Sequence, residues 1–506
     1  MDHFKSGTGA RSPHKCDYSF NMSEKPSSFH APLAAAVRHA LRHVAPPSDL
    51  PVAATADLKT LRSRLTIPLN KSGIDATTVV EDLAKAVEGG IIDTAGPRFF
   101  GWVIGGSLPA ALAADWLTSA WDQNAGMYAT SPAAAIVEEA AGIWLKDLLH
   151  LPSTASFALV TGCQMAHVTC LLAARHAVLA RHQWDVEQDG LPGSPPIRIL
   201  TSTEKHGSTV RAIRLLGLGE KNIQNLPTDD RGRLSEDALI EALEAAPTQP
   251  TIVVLQAGDL NMGAFDDFAT LIPIAKKFGA WVHVDGAFGL WCAASPRLHH
   301  LLNGADAADS WTTDGHKWLN VPFDCGYAFV ADPEAHRASL SHRASYLTHA
   351  EDARDQMDWN PEWSRRGRGF ATYAALRNLG RDGVADLIER TCDHAHALVT
   401  GIGSLEGAET VWEPQINQGM VRFLDPRQGA SAADNDAFTN RMMAEILSSG
   451  EAFFTGTTWR DRRAMRVSVC NWQTSANDVD RVIASVAKIL QAARERSGVT
   501  HPTIHR

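Results

Sequence analysis

Short apolar runs alternate with helical segments along the middle of the chain, from about residue 156 to about residue 331. Six runs are continuously apolar, which is typical of strands buried on both faces: SFALVTG, IRILTS, NIQNLP, TIVVLQAG, AWVHVDGA and CGYAFVA. The segments between most of them have the apolar spacing of helices, as in QMAHVTCLLAARHAVLARH and LSEDALIEALEAA. This alternation predicts an α/β fold with a mostly parallel sheet and helices on both faces.

The regions on either side have a different pattern. Helical segments dominate before the sheet, including PLAAAVRHALRHV, TTVVEDLAKAV and SPAAAIVEEAAGIWLKDLL. After about residue 380, a helix, the strand-like runs QGMVRFLD and MRVSVCN, and a closing helix predict a small α+β lobe. We therefore predict a helical N-terminal segment at 31–96, a large domain at 97–379 and a small C-terminal domain at 380–506. The polar residues 1–30 are expected to be a disordered tail.

Composition narrows the classes of function. The formal net charge is −10 and no basic stripe occurs, so a nucleic-acid partner is not expected. No apolar run reaches membrane-spanning length, and the start of the chain lacks the apolar core of a signal peptide, so we expect a cytoplasmic protein without a membrane partner. The seven cysteines contain no CxxC pair, which favours reduced thiols and predicts no metal site.

Polar residues follow several of the predicted strands, and ligands of parallel sheets bind at this edge. Asp285 follows an apolar run and needs a cation or a strong N–H donor, although capping the next turn is an equally good interpretation. His206 lies between a strand and a helix, where a lone histidine is more often structural. The turn VTGCQMAH suits a phosphate or an ordinary strand-to-helix connection. Neither GxGxxG nor a P-loop motif occurs.

Lys317 lies in the segment DSWTTDGHKWLNVPFDCG, among tryptophans and aliphatic residues. Apolar surroundings disfavour the ammonium form, so we expect a neutral, nucleophilic amine that can form a Schiff base with an aldehyde. Pyridoxal phosphate requires such a lysine together with an acid for its ring nitrogen, a flat contact for its ring and a phosphate cup. Lys317, Asp285, His206 and the TGCQ turn jointly fit those requirements.

The stretch HVDGAFGLWCAASPRLHHLLNGADAADSWTTDGHKWLNVPFDCGYAFV closely resembles the pyridoxal-phosphate-dependent group II amino acid decarboxylases. That family includes the aromatic-L-amino-acid, glutamate and histidine decarboxylases, and the likeness extends from about residue 97 to the closing helix. It implies the aspartate-aminotransferase type of fold (fold type I) with a seven-stranded sheet. It also implies a homodimer with shared active sites.

The resemblance also implies roles for individual residues. Lys317 would hold the cofactor as an internal aldimine, and Asp285 would bind the pyridinium nitrogen. The ring would lie between Ala287 and His206. The phosphate would be bound by backbone groups of Cys163 and Gln164. Three further residues match positions around the cofactor: Ser208, Asp314 and His316. Three aromatic residues match the substrate-pocket segment: Phe99, Phe100 and Trp102.

The loop after the lysine strand departs from the family pattern. In the family this loop usually carries a tyrosine that protonates the carbanion after CO₂ leaves. The corresponding residues here, about 345–370, contain only Tyr346, near the start of the loop. His349 or a water molecule could supply the proton instead. Alternatively, the carbanion could react with oxygen, as in the aldehyde synthases of the same family.

The sequence therefore predicts a decarboxylase of an L-amino acid. The aromatic segment FFGW favours a bulky or aromatic substrate, although aromatic residues equally well build a core. Arg466 could steer a substrate carboxylate or simply cap a strand. Oxidative deamination to an aldehyde and a carbon–carbon lyase activity are alternatives with the same cofactor. A protein that binds the cofactor without turnover is disfavoured because both Lys317 and Asp285 are present.

Overall fold

The computed structural model of the protein describes residues 28–44, 50–342 and 353–496. The chain divides into two compact units, one formed by Met1–Asp49 and Ala56–Gly90 and the other by Leu50–Thr55 and Ile91–Arg506. The predicted tail at 1–30 lies almost entirely outside the described residues. The other predicted domain boundaries remain predictions.

The smaller unit contains three helices, α1 (His30–Val44), α2 (Leu58–Leu65) and α3 (Ala76–Ala86). The last two begin at aspartates whose side chains accept a backbone N–H of the first turn, Asp57 from Thr60 and Asp75 from Thr78. These caps satisfy amides that a helix leaves without intrahelical partners. The predicted helices in PLAAAVRHALRHV and TTVVEDLAKAV correspond to α1 and α3.

The larger unit holds a central sheet whose strands are, in the described residues, β1 (Ser156–Val160), β2 (Arg198–Ser202), β3 (Ile223–Leu226), β4 (Thr251–Gln256), β5 (Trp281–Asp285), β6 (Ser310–Asp314) and β7 (Gly326–Val330). Their order is β1-β7-β6-β5-β4-β2-β3. Only β7 runs antiparallel to its neighbours, β1 and β6. The prediction of a mostly parallel, seven-stranded sheet is confirmed.

The helices of the larger unit are α4 (Pro109–Trp121), α5 (Pro132–Leu148), α6 (Cys163–Ala180), α7 (Val186–Asp189), α8 (Gly207–Leu215), α9 (Glu236–Glu244), α10 (Phe268–Lys277), α11 (Pro333–Ala338), α12 (Gly369–Gly403), α13 (Ala432–Ser449) and α14 (Ala476–Arg496). Proline occupies the first turn of α4 and α5, where its missing N–H costs no hydrogen bond. The predicted helix near residue 383 begins earlier, at Gly369, and Gly380 interrupts it with a φ of 62°.

The C-terminal part of the larger unit contains an antiparallel sheet of β8 (Ala408–Trp412), β9 (Gln418–Phe423), β10 (Thr455–Trp459) and β11 (Arg462–Ser468), in the order β10-β11-β9-β8. Residues of α12, α13 and α14 pack on this sheet in a common apolar core. The predicted small α+β lobe is therefore present.

The strand β6 was absent from the apolar runs because its sequence, SWTTD, is mostly polar. All five of its residues are nevertheless buried. Ser310 accepts a hydrogen bond from Trp281 Nε1 at 2.9 Å, so at least this hydroxyl has an internal partner. Because its residues are mostly polar, the central strand β6 was not predicted from the sequence.

We predict that His336 makes the stability of the fold fall in acid. This fully buried side chain bonds Ser156 Oγ through Nδ1 (2.7 Å) and the Trp359 carbonyl through Nε2 (3.0 Å). Burial lowers the pKa of His336 from 6.5 to about 3. Unfolding therefore takes up a proton between these values, so the unfolding free energy drops as pH falls from about 6.5 towards about 3.

Denaturant unfolding at several pH values measures this effect. His336→Gln should flatten the slope between pH 6 and 4 by up to about 1.4 kcal/mol per pH unit. The control His182→Gln replaces an exposed histidine and should keep the slope of the original protein. Equal slopes for His336→Gln and the original protein would contradict the prediction.

Candidate functional site

The carboxyl ends of β1, β5 and β6 bring the central group of predicted residues together. Asp314, at the end of β6, is only 2% exposed. Its Oδ2 lies 3.0 Å from Lys317 Nζ, and its Oδ1 accepts the backbone N–H of Cys163 at 2.6 Å. Since Cys163 is the first residue of α6, one carboxylate joins the lysine segment to a helix N-terminus. His316 Nε2 lies 3.6 Å from the same Oδ1.

The prediction that Lys317 carries a neutral amine is wrong. Burial does favour loss of the proton, and Trp311, Trp318 and other apolar neighbours are buried. The negative charge of Asp314 and its hydrogen bond to Nζ outweigh this effect and raise the pKa of Lys317. The amine is therefore an ammonium ion that needs a proton acceptor before it can act as a nucleophile.

The backbone around Lys317 is tightly constrained by a second segment. A Cβ atom at Gly105 would lie 1.9 Å from the Lys317 carbonyl oxygen, so only glycine fits there. Asn320 has a φ of 57°, and its Oδ1 accepts the backbone N–H groups of Gly106 (2.7 Å) and Trp472 (3.0 Å). These contacts fix where the lysine side chain begins.

Asp285, at the end of β5, is 5% exposed and is surrounded by donors. Its Oδ1 accepts the backbone N–H of Ala287 at 3.2 Å, and its Oδ2 accepts from Thr209 Oγ1 at 3.3 Å. His167 Nε2 lies 3.4 Å from the same Oδ2. Burial alone would raise the pKa of Asp285, but the neighbouring His167, His206 and Lys317 lower it well below the usual range. The carboxylate is therefore ionised.

His206 and Ser208 lie at the start of α8. His206 is the N-cap residue, and its Nδ1 accepts the backbone N–H of Ser208 at 3.2 Å and contacts Ser208 Oγ at 2.7 Å. As a residue His206 is exposed, so a ligand can reach it. The carbonyl of Ala287 accepts the backbone N–H of Asp314 at 3.0 Å, which links the ends of β5 and β6.

The predicted phosphate-binding residues occupy the first turn of α6. The backbone N–H of Cys163 is engaged by Asp314. Nε2 of Gln164 is buried and has no hydrogen-bond partner among the residues that the structure describes. An unsatisfied buried donor at a helix N-terminus is suited to an anionic ligand.

The predicted substrate residues separate into three groups. Phe99 is buried and stacks on Phe453 at 4.7 Å, and Trp102 lies 5.4 Å from Phe453 with 51% of its surface exposed. Phe100 is fully buried in the core of the small lobe. His349 lies outside the described residues, as does Tyr346.

Arg466 is 3% exposed although it carries a guanidinium group. One of its nitrogens donates to the Leu260 carbonyl at 3.1 Å. Its Nε and Nη2 have no hydrogen-bond partner within the described part of the chain. Burial lowers the pKa of Arg466 to about 10, so the group keeps its charge at neutral pH.

Sequence reasoning missed His167 and Thr209, both of which contact Asp285. Each lies on the first turns of a helix that follows a strand, α6 or α8. Their position shortly after the TGCQ turn and after His206 was the available signal.

No cluster of His, Cys, Asp or Glu suited to a metal ion occurs among the residues described here. Within the same residues, no helix is long and apolar enough to cross a membrane.

Comparison with known proteins gives consistent results. A family model described as "Pyridoxal-dependent decarboxylase conserved domain" matches residues 61–424. Aromatic-L-amino-acid decarboxylase of Bacillus atrophaeus is 25% identical over 461 residues, covering 90% of this chain and 93% of the relative. 4-Hydroxyphenylacetaldehyde synthase of Rhodiola rosea is 26% identical over 396 residues, covering 76% and 79%.

A solved structure extends the comparison to three dimensions. The crystal structure of Oryza sativa TDC with PLP and tryptamine has a TM-score of 0.86 at 23% identity, covering 93% of this chain and 99% of that one. The fold is therefore that of fold type I pyridoxal-phosphate enzymes, as predicted. Since the family model matches most of the chain, the chain belongs to the pyridoxal-dependent decarboxylase family and is a carboxy-lyase that uses pyridoxal phosphate.

Proposed function

We propose that this protein decarboxylates an L-amino acid with pyridoxal phosphate held by Lys317. The observation that carries the proposal is the position of the Lys317 amine, 3.0 Å from Asp314, at the strand edge that also holds ionised Asp285. The cofactor supplies an electron sink for the pair left behind when CO₂ departs. Protein groups must then hold the ring, keep its nitrogen protonated and orient the substrate.

The donor set fits the cofactor. The Lys317 amine serves the aldehyde, and Oδ2 of Asp314 can accept the proton that Nζ must lose first. Asp285 carries the negative charge that a ring nitrogen needs to remain protonated. The imidazole of His206 and the backbone-anchored Ala287 provide flat contacts. The unsatisfied Nε2 of Gln164 serves the phosphate.

The substrate contacts favour an aromatic or bulky amino acid. Phe99, Phe453 and the exposed Trp102 form a group of three aromatic rings. Arg466 has two guanidinium nitrogens without partners in the described residues, and a carboxylate can accept from both. The relatives named above that act on aromatic compounds support the same substrate class.

Aldehyde formation is the second candidate. The segment 345–370 has no tyrosine after Tyr346, so the usual proton donor of the family is missing from the rest of the predicted loop. One relative is named as a 4-hydroxyphenylacetaldehyde synthase. Without a nearby proton donor, reaction of the carbanion with oxygen competes with its protonation.

We also propose that the enzyme is a cytoplasmic homodimer. The outer faces of α4 and α5 expose large apolar side chains, including Trp116, Trp121 and Ile143, each more than a third exposed. Such exposed apolar side chains are typical of surfaces that a second subunit covers. The six described cysteines are all free thiols, which suits a reducing compartment.

Replacing Lys317 with alanine should abolish both cofactor attachment and turnover. The purified variant should lose the visible absorbance of the bound cofactor, and CO₂ release should fall by several orders of magnitude. The control Lys277→Ala removes an exposed lysine of α10 and should leave both unchanged. Full activity of Lys317→Ala would exclude the proposed role.

A panel of L-amino acids will decide between the two reactions. We expect the purified holoenzyme to release CO₂ fastest from aromatic substrates, with one amine formed per CO₂. Amine, aldehyde, ammonia and hydrogen peroxide are measured in the same reaction. Stoichiometric aldehyde, ammonia and peroxide would replace the first candidate with the second.

Gly105→Ala should weaken cofactor binding without changing any group that touches the cofactor. The added methyl would overlap the Lys317 carbonyl and force the backbone to move, at a cost of about 1–3 kcal/mol. Calorimetry should show a lower melting temperature, and titration a larger Kd for pyridoxal phosphate. Gly73→Ala adds a methyl to open space and is the control. A Gly105→Ala protein that matches the control would refute this constraint.

A further inference from the structure

A chain of buried polar side chains extends from Asp285 into the interior of the sheet. Nε2 of His167 lies 3.4 Å from Oδ2 of Asp285, and Nδ1 of His167 lies 3.0 Å from Nε2 of His283. His283 Nδ1 lies 2.9 Å from Ser310 Oγ, which accepts from Trp281 Nε1 at 2.9 Å. The four residues behind Asp285 are at most 1% exposed.

The two ends of this chain fix the direction of its hydrogen bonds. Trp281 Nε1 can only donate, and the ionised carboxylate of Asp285 can only accept. With neutral imidazoles, Ser310 therefore donates to His283 Nδ1, His283 Nε2 donates to His167 Nδ1, and His167 Nε2–H is left to face Asp285. Every donor in the chain then points towards the carboxylate.

The surroundings of His283 favour the neutral form that this direction requires. Burial, together with the proximity of His167, lowers the pKa of His283 to about 3. A neutral His283 carries one N–H, which Ser310 directs to Nε2. His167 Nε2 has no hydrogen-bond partner within the described portion of the chain, and the Asp285 carboxylate oxygen 3.4 Å away is the acceptor that lies beside it.

We propose that His167 is a positioning residue that donates its Nε2 proton to Asp285 and thereby keeps the ring nitrogen of the bound cofactor protonated. The inference rests on the proposed role of Asp285. A proton shared by a carboxylate and a pyridine moves towards the carboxylate when the carboxylate loses hydrogen-bond donors. Thr209 and the Ala287 amide are the other donors to Asp285, while Lys317 and His206 act on it through charge.

The test uses holoenzyme loaded with pyridoxal phosphate labelled with ¹⁵N in its ring, because the ¹⁵N resonance reports protonation directly. In the original protein we expect the resonance of a protonated ring. His167→Leu fills a similar space without a donor, so its resonance should move towards that of an unprotonated ring. Its kcat should also fall by about tenfold or more. His167→Gln can place an amide N–H near the position of Nε2 and should restore the resonance of the original protein.

A second variant keeps the inference testable if His167→Leu does not fold. His283→Leu removes the donor to Nδ1 of His167 without touching Asp285, and its ¹⁵N resonance should move in the same direction by a smaller amount. A ring that stays fully protonated in whichever leucine variants fold overturns the role of His167 alone. An unprotonated ring in the original holoenzyme overturns the proposed role of Asp285 and, with it, the inference.

Discussion

The site depends on the two interactions that the Asp314 carboxylate makes. One oxygen faces the Lys317 ammonium at 3.0 Å, and the other accepts the first N–H of α6 at 2.6 Å. With 2% of its surface exposed, this charge is stable only because both oxygens have donors. Removing one partner of such a buried pair typically costs about 3–5 kcal/mol. Strand β6, helix α6 and the reactive amine are thus held by one group.

Asp285, at the end of the neighbouring strand, is a second buried carboxylate, and its partners differ from those of Asp314. Asp285 and Thr312 are paired in register between β5 and β6, so the two acids lie at the same edge of the sheet. Lys317 compensates the charge of Asp314, whereas His167 on α6, Thr209 on α8 and the amide of the following turn face Asp285. Since no lysine or arginine of the described residues forms an ion pair with Asp285, its negative charge suits the proposed contact with a ring nitrogen. The parallel topology therefore separates the acid that pairs with Lys317 from the acid proposed to bind the ring nitrogen.

The sequence predicted the architecture well where burial and polarity agree. Continuous apolar runs identified strands such as β4 and β5, and the residues after them formed the expected group at one edge. Strand β6 escaped because the partners of its polar side chains, such as Trp281 for Ser310, are distant in sequence. The charge of Lys317 was wrongly predicted for a related reason. Its apolar neighbours were visible in the sequence, but the contact with Asp314 depends on the fold of the turn between them.

Other features of the site could be identified only from the three-dimensional structure. The position of His167 after the TGCQ turn was a signal in the sequence, but only the fold shows that it faces a carboxylate 118 positions further along the chain. The sequence also does not distinguish the adjacent residues Phe99 and Phe100. In the structure only Phe99 stacks on Phe453 next to Trp102, whereas Phe100 lies in the core of the small lobe. The bridge between Phe99 and Phe453, which the composition of this short segment does not reveal, places the two rings side by side.

The attachment point of the cofactor is the most direct test of the account. Borohydride reduction of the holoenzyme fixes the bond between the cofactor and its lysine, and peptide mass mapping then locates the modified residue. The account predicts a phosphopyridoxyl group on the peptide that contains Lys317 and on no other lysine. Modification of a different lysine, or none in protein that contains the cofactor, would contradict it.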